Sequence, residues 1–205
     1  MFFSIDGGDG TGKSTQVEEF SEWLRRLGHD VVVCRDPGST PLGEAVRELV
    51  LNRADLQISR PSEMLLYMAA RAQLVEEVIR PALRQGKTVV SDRYLLANVV
   101  YQGHAGGLDV EALWEVGRIA TGGVMPDLTV VLDMPARAAV ERLKRNLDRM
   151  EQQGNAFHAR VRQGFLDEAA RKPKQVVVVS AEGTVEQVQT AIREAAERFL
   201  KAPKR

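Results

Sequence analysis

Five short runs of the chain, Phe2–Asp6, Asp30–Arg35, Thr88–Asp92, Leu128–Asp133 and Gln175–Ser180, are almost continuously apolar and rich in Val, Ile and Leu. A half-buried strand alternates apolar with polar residues, so runs without alternation predict strands covered on both faces, as in a parallel sheet between helices. Between them, apolar residues recur at intervals of three and four over Gly12–Leu27, Leu42–Leu51, Pro61–Arg84, Val110–Ile119, Ala136–Asp148, Phe157–Ala170 and Val185–Leu200, which predicts helices. Strands that alternate with helices need crossover connections, and the expected architecture is a three-layer α/β fold with a five-stranded parallel sheet flanked by helices. Gly28, Gly86 and Gly183 mark joins between elements. The polar stretch Asp148–Ala156 interrupts two helical patterns and reads as a mobile loop inside one domain spanning residues 1–205.

Composition narrows this picture. Apolar residues make up 44% of the 205 positions and charged residues 27%, near the globular norm, which excludes a disordered chain and a coiled coil. Lys plus Arg and Asp plus Glu are 28 each, so a broad electrostatic grip on nucleic acid or on acidic lipid is not expected. One cysteine, Cys34, excludes an intrachain disulfide and a cysteine-rich zinc site, and in the run Val31-Val32-Val33-Cys34 it reads as a small buried hydrophobe. No apolar stretch approaches the roughly 18 residues of a membrane span, and Met1–Asp6 lacks the pattern of a signal peptide. A reducing, cytoplasmic setting is the expectation.

The strongest chemical signal is Gly7-Gly8-Asp9-Gly10-Thr11-Gly12-Lys13-Ser14, followed by Thr15. It matches the phosphate-binding P-loop and stands where that motif works, after an apolar strand and before an amphipathic helix. Glycines let successive backbone N–H groups converge on one anion, and the helix N-terminus adds partial positive charge. Lys13 can reach the β- and γ-phosphates, and the Ser14 hydroxyl can ligate Mg²⁺. A nucleoside triphosphate such as ATP, with Mg²⁺, is therefore expected. Whether it is hydrolysed for work, read as a switch or used for phosphoryl transfer is open at this point.

Ligands of open parallel sheets gather at the C-terminal strand ends. There stand Arg35-Asp36-Pro37-Gly38, then Asp92-Arg93-Tyr94 with Asn98 and Tyr101-Gln102-Gly103 beyond, and then Asp133-Met134-Pro135. Asp92 suits Mg²⁺ through water and Arg93 a phosphate, the plain alternative being a mutual ion pair. Asp133 has a weaker claim, the plain alternative being a cap for the next helix, as Pro135 suggests. Tyr67 and Arg71 are four apart on one helix face, where they could grip a nucleobase or simply edge the core. Arg142, Arg145 and Arg149 share a face leading into the polar loop; they fit a lid over phosphates at about residues 142–156, or a solvated face with Glu141 paired to Arg145. His29, His104 and His158 show no metal-ligand spacing.

Taken in order, the P-loop with Asp9, Arg35-Asp36-Pro37-Gly38, Tyr67 to Arg71, Asp92-Arg93-Tyr94, Tyr101-Gln102-Gly103, Pro126-Asp127-Leu128 and Asp148-Arg149-Met150-Glu151 make the chain resemble the thymidylate kinase family of nucleoside monophosphate kinases. The resemblance implies a P-loop NTPase fold, a homodimer, and transfer of a phosphoryl group from ATP to dTMP. It implies that Tyr67 stacks on thymine where the family usually has Phe, that Arg71 and Asn98 bond the base, and that Arg93 holds the acceptor phosphate. Tyr101 would crowd a 2′-hydroxyl, Asp9 would meet the sugar or the metal region, and Arg35, Pro37 and Gln102 would line the acceptor site. The family carries its catalytic arginine either in the P-loop or in the lid. Gly10 occupies the P-loop position here, which leaves Arg142, Arg145 or Arg149, the last in the best-matched motif. The lid is about two residues shorter than in familiar members, and Ala97, Phe165 and Ser180-Ala181 depart from common residues.

Overall fold

The computed structural model describes residues 1–53, 55–142 and 148–201. Its centre is an all-parallel sheet of β1 (Phe2–Gly7), β2 (Val31–Arg35), β3 (Thr88–Asp92), β4 (Leu128–Asp133) and β5 (Val176–Ser180), in the order β2-β3-β1-β4-β5. β1 pairs with β3 on one side and β4 on the other. The chain order thus reverses beside β1, which opens a crevice at the C-terminal ends of β1 and β3.

The helices are α1 (Lys13–Arg26), α2 (Pro41–Asn52), α3 (Arg60–Leu74), α4 (Arg80–Arg84), α5 (Leu95–Asn98), α6 (Val110–Thr121), α7 (Ala136–Glu141), α8 (Asn155–Arg171) and α9 (Val185–Lys201). Local chemistry sets several ends. Thr40 caps α2 by accepting from the Gly43 amide at 2.9 Å, with Pro41 in the first turn, and Asp109 caps α6 by accepting from Ala112 at 2.7 Å.

Successive β1 residues face opposite layers, as strand geometry requires. Phe3 and Ile5 pack with Phe20 and Leu24 of α1 and Ile192 of α9, whereas Phe2 packs with Leu74, Ile79, Tyr94 and Leu113. Edge-on aromatic pairs join both layers to β1, Phe3–Phe20 at 5.4 Å and Phe2–Tyr94 at 5.0 Å between centroids. Cys34 is buried in the second layer, as its surroundings in the sequence suggest, and burial pushes its thiol up to about 12.

Two elements depart from the sequence pattern. The helix expected over residues 61–84 is continuous, but it widens into a π turn at Val75–Ile79. Pro81, just past Arg80, has no N–H to return to the carbonyl four residues back, so the ladder must shift there. The periodicity shows no helix after β3, yet α5 runs into a second π segment, Val99–His104. Residues 95–103 are buried, so this segment has no polar face and no amphipathic period to read. The helix expected to reach Asp148 is described only over Ala136–Glu141, and residues 143–147 lie outside the described part.

Candidate active site

Three loop glycines adopt positive φ, Gly7 at 139°, Gly10 at 81° and Gly12 at 86°, as the turn from β1 into α1 requires. Gly10 answers a second constraint, since a Cβ there would lie 2.0 Å from the Ala139 carbonyl oxygen of α7. No side chain fits at this position. Gly10→Ala should therefore cost at least about 2 kcal/mol, a drop of roughly 4–8 °C in Tm, and weaken ATP binding as the loop moves off α7. A thermal melt with and without ATP checks this.

Lys13 opens α1, and its Nζ donates to the Gly8 carbonyl at 2.7 Å. Burial, joined by the nearby Arg93, pulls its ammonium down to about 8, although Asp9, Asp92 and Asp6 favour the charge. The Ser14 hydroxyl donates to Asp92 Oδ2 at 2.8 Å. Asp6, fully buried beneath the loop, is pushed up to about 6 by burial against the opposing pull of the Ser4 hydroxyl and Arg93.

Arg93 is the hub. It adopts φ 67°, a conformation costing a non-glycine residue about 1–3 kcal/mol. Its backbone is pinned, with its N–H donating to Ile5 at 3.0 Å and its carbonyl accepting from the Ser91 hydroxyl at 2.6 Å. Its guanidinium pairs with Asp9, donates to the Gly7 carbonyl at 3.0 Å and lies 5.0 Å above the Tyr101 ring. The Tyr101 hydroxyl donates to the second Asp9 oxygen at 2.7 Å. Burial opposes the charge on Asp9, but Arg93 and Lys13 together outweigh it and hold the carboxyl below its ordinary range. The mutual Asp92–Arg93 pair does not form: Asp92 turns to Ser14 and Arg93 to Asp9.

A second constellation lies on α3 and the α5 segment. Arg71, 1% exposed, pairs through Nε with the buried Asp36 and donates through Nη1 to Asn98 Oδ1 at 3.0 Å. Asn98 Nδ2 donates to Gln102 Oε1 at 2.6 Å. Gln102 Nε2 donates in turn to Glu63 Oε1 at 2.8 Å. One cleft of about 310 Å³ is lined by Asp9, Gly10, Lys13, Ser14 and Thr15 from the P-loop region and also by Arg35, Pro37, Tyr67, Arg71, Asp92, Arg93, Asn98, Tyr101 and Gln102. Gly8 and Thr11 border a smaller adjoining recess.

Other sequence candidates stand apart. Arg35, though in the cleft wall, is engaged by Glu44 at 2.9 and 3.0 Å. Asp133 is held at 2.8 and 2.9 Å by Nε and Nη2 of Arg162. Arg142 donates to the Ala181 carbonyl at 3.2 Å, at the end of β5, and Arg145 lies outside the described residues. Glu141 accepts from Arg137 at 3.0 Å. Arg149 is anchored on α2 and α3: its Nε donates to the Val50 carbonyl at 2.8 Å and its Nη2 pairs with Glu63. Sequence reasoning did not single out Glu63, Arg47 or Asp6. Glu63 had a legible signal, because Glu63, Tyr67 and Arg71 repeat at four-residue intervals on one helix face. Arg47, which donates to the Pro37 carbonyl at 3.2 Å, had none.

A P-loop at the switch point of a parallel sheet, with buried cations facing a second polar pocket in the same cleft, defines a P-loop nucleotide phosphotransferase of the nucleoside monophosphate kinase class. The thymidylate kinase family model matches residues 5–192. The chain is 47% identical over 189 residues to a thymidylate kinase of Rhodopirellula baltica, covering 92% of this chain and 77% of the relative. It is 43% identical over 201 residues to one of Symbiobacterium thermophilum, covering 98% and 94%. The crystal structure of a thymidylate kinase from Ehrlichia chaffeensis superposes with a TM-score of 0.80 at 28% identity, covering 96% of this chain and 98% of that one. The chain belongs to the thymidylate kinase family.

Proposed function

We propose that the cleft seats ATP on the P-loop and dTMP between Tyr67, Arg71 and Arg93, and that the family's reaction, phosphoryl transfer from ATP to dTMP, takes place where the two meet. The observation that carries this is the shared cleft, in which one wall is a phosphate-binding loop and the other a buried, hydrogen-bonded set of polar side chains.

The chemistry follows from charge. A phosphate monoester is already nucleophilic, and the barrier is largely the repulsion between two polyanions that must lie in line. Loop amides and Lys13 would hold the donor, Arg93 would bridge to the acceptor phosphate, and Asp9 aims Arg93 while Tyr101 packs beneath it. Asp9 spends its oxygens on Arg93 and Tyr101, which suits it to orient those groups more than to bind a metal. Magnesium fits the Ser14–Asp92 pair, two hard oxygen ligands already in contact on the cleft wall. Bound there with the phosphates, it would draw off negative charge. Further cationic charge would come from the lid at about 142–156, with Arg142 and Arg145 as its candidates, since Arg149 of the three is bound to Val50 and Glu63.

Tyr67 would stack on thymine, with Arg71 and Asn98 on its polar edge and Gln102, Arg35 and Pro37 around it. Tyr101 is wedged between Phe157 at 6.2 Å and Phe165 at 6.3 Å, so its ring cannot swing away from a sugar 2′-hydroxyl. Tyr101→Ala should raise kcat/KM for the ribose analogue of dTMP about tenfold relative to dTMP. A pair of progress curves for the two acceptors checks it, and an unchanged ratio would move the discrimination elsewhere.

The reading extends to a single domain acting as a homodimer, with exposed Leu65 on α3 and Ile119 on α6 as apolar positions for a second copy, and to a cytoplasmic enzyme with its one thiol buried. Among the described residues no helix is long and apolar enough to cross a membrane. The deciding experiment is ADP formation from Mg·ATP with a panel of dTMP, dUMP, dCMP, UMP and thymidine. dTMP should give the highest kcat/KM, and a clear preference for another acceptor would overturn the assignment of the pocket.

A further inference from the structure

We infer that Glu63 is a positioning residue that couples the base pocket to the seating of residues 148–153, and that Arg149 is the other half of this clasp. The inference rests on the reading of the cleft as the dTMP site and deepens it.

Glu63 is fully buried on α3, one turn before Tyr67 and two before Arg71. An ionised carboxylate only accepts hydrogen bonds, and its two oxygens are divided between two parts of the site. Oε1 takes Gln102 Nε2 at 2.8 Å, and Oε2 takes Arg149. Arg60 adds a longer contact at 3.5 Å.

From Gln102 the bonds continue through Asn98 to Arg71, which can only donate. A donor-only group at one end and an acceptor-only group at the other leave each intervening amide one satisfying orientation. Glu63 therefore helps to fix which atom Gln102 and Asn98 present towards the pocket. From Arg149 the structure continues into the cleft wall. The Asp148 side chain accepts from the Met150 and Glu151 amides at 2.8 and 3.0 Å, and Asp148, Met150 and Glu151 line the cleft. Arg60 also reaches this segment, donating to Gln153 at 3.0 Å.

Both oxygens belong to one planar group, so a shift that improves one contact disturbs the other. Packing does not require a charge here: an apolar residue of similar size would fill the space without the penalty of burying an anion. The carboxylate is explained if Arg149 must be held and if that hold must respond to Gln102. With its Nε, Nη2 and backbone N–H on α2 and α3, Arg149 clasps the segment rather than reaching for phosphates.

Glu63→Gln separates the two arms. The amide oxygen can still accept from Gln102, but its NH₂ then faces the donor-only guanidinium. In this variant kcat should fall about tenfold while KM for dTMP stays within about threefold. Arg149→Gln should give the same loss, and the double variant should be no worse than either single one. In hydrogen exchange, dTMP should slow the amides of 148–153 in the wild type and leave them unprotected in Glu63→Gln. The inference is overturned if the two substitutions multiply in kcat, if Glu63→Gln raises only KM, or if dTMP protects the segment equally in both forms. Should Glu63→Gln fold poorly, Arg149→Gln, changed at a partly exposed site, carries the same exchange test alone. If the wild type proves to prefer a different acceptor, the dTMP reading fails, while the Glu63–Arg149 coupling is measured with the acceptor it does use.

Discussion

Lys13→Ala should abolish turnover, lowering kcat by at least about 10²–10³-fold in a coupled ADP assay. Lys13 is the buried cation at the first turn of α1, beside the loop amides, and no neighbouring lysine or arginine of the loop can replace it. The loss should not come from unfolding. Burial lowers the affinity of Lys13 for its proton to about 8 from 10.5 in the unfolded chain, so the folded state carries this charge at a cost. Between those values the unfolded chain binds more protons, and stability contributed by this group rises with pH. Lys13→Ala should therefore melt no lower than the wild type at pH 7 and should lose part of that upward slope. The same shift predicts the rate profile: kcat/KM for ATP, which reports the free enzyme, should fall as pH rises through about 8, when the ammonium neutralises. Near-normal turnover in Lys13→Ala would remove the loop from the mechanism.

Arg93→Ala should be comparably damaging, with kcat down about 10²–10³-fold and KM for dTMP raised. The guanidinium holds the loop through Gly7, fixes Asp9 and stacks over Tyr101, so its removal disturbs groups on both sides of the cleft. Lysine should rescue little, since a single ammonium cannot hold a carboxylate, a carbonyl and a phosphate in one plane. A second signature is acid stability. Asp9 titrates below its ordinary value in the fold, so it contributes stability above the unfolded value of 3.8 that is lost as pH falls through the folded one. Without Arg93 the carboxyl loses the strongest pull that opposes burial, so the melting temperature near neutral pH should drop and less stability should be lost as pH falls. A variant that keeps wild-type kcat with dTMP would show that the acceptor phosphate lies elsewhere.

Much of the site was legible because its signals are local. The P-loop is a string of residue types whose backbone needs are met within eight positions, and Tyr67 with Arg71 is a helix-spacing pattern. The Arg142, Arg145 and Arg149 pattern was legible only as a shared face. Spacing could not show that Arg149 docks on Val50 and Glu63 while Arg142 turns to Ala181, because those partners are 99, 86 and 39 residues away along the chain. Nor could it show the helix carrying Asn98, Tyr101 and Gln102, which is buried all round.

By itself the sequence determined the layered α/β architecture, the five strands and the triphosphate loop, since each depends on hydrophobic periodicity or on short-range backbone requirements. Only the tertiary structure decided which charge meets which: Arg93 with Asp9 instead of Asp92, Asp92 with Ser14, Glu63 with Arg149. The reason is that β1, β3 and α3 reach one crevice from distant parts of the chain. There, low dielectric makes every buried charge take the partner that geometry supplies, whatever its neighbours in sequence.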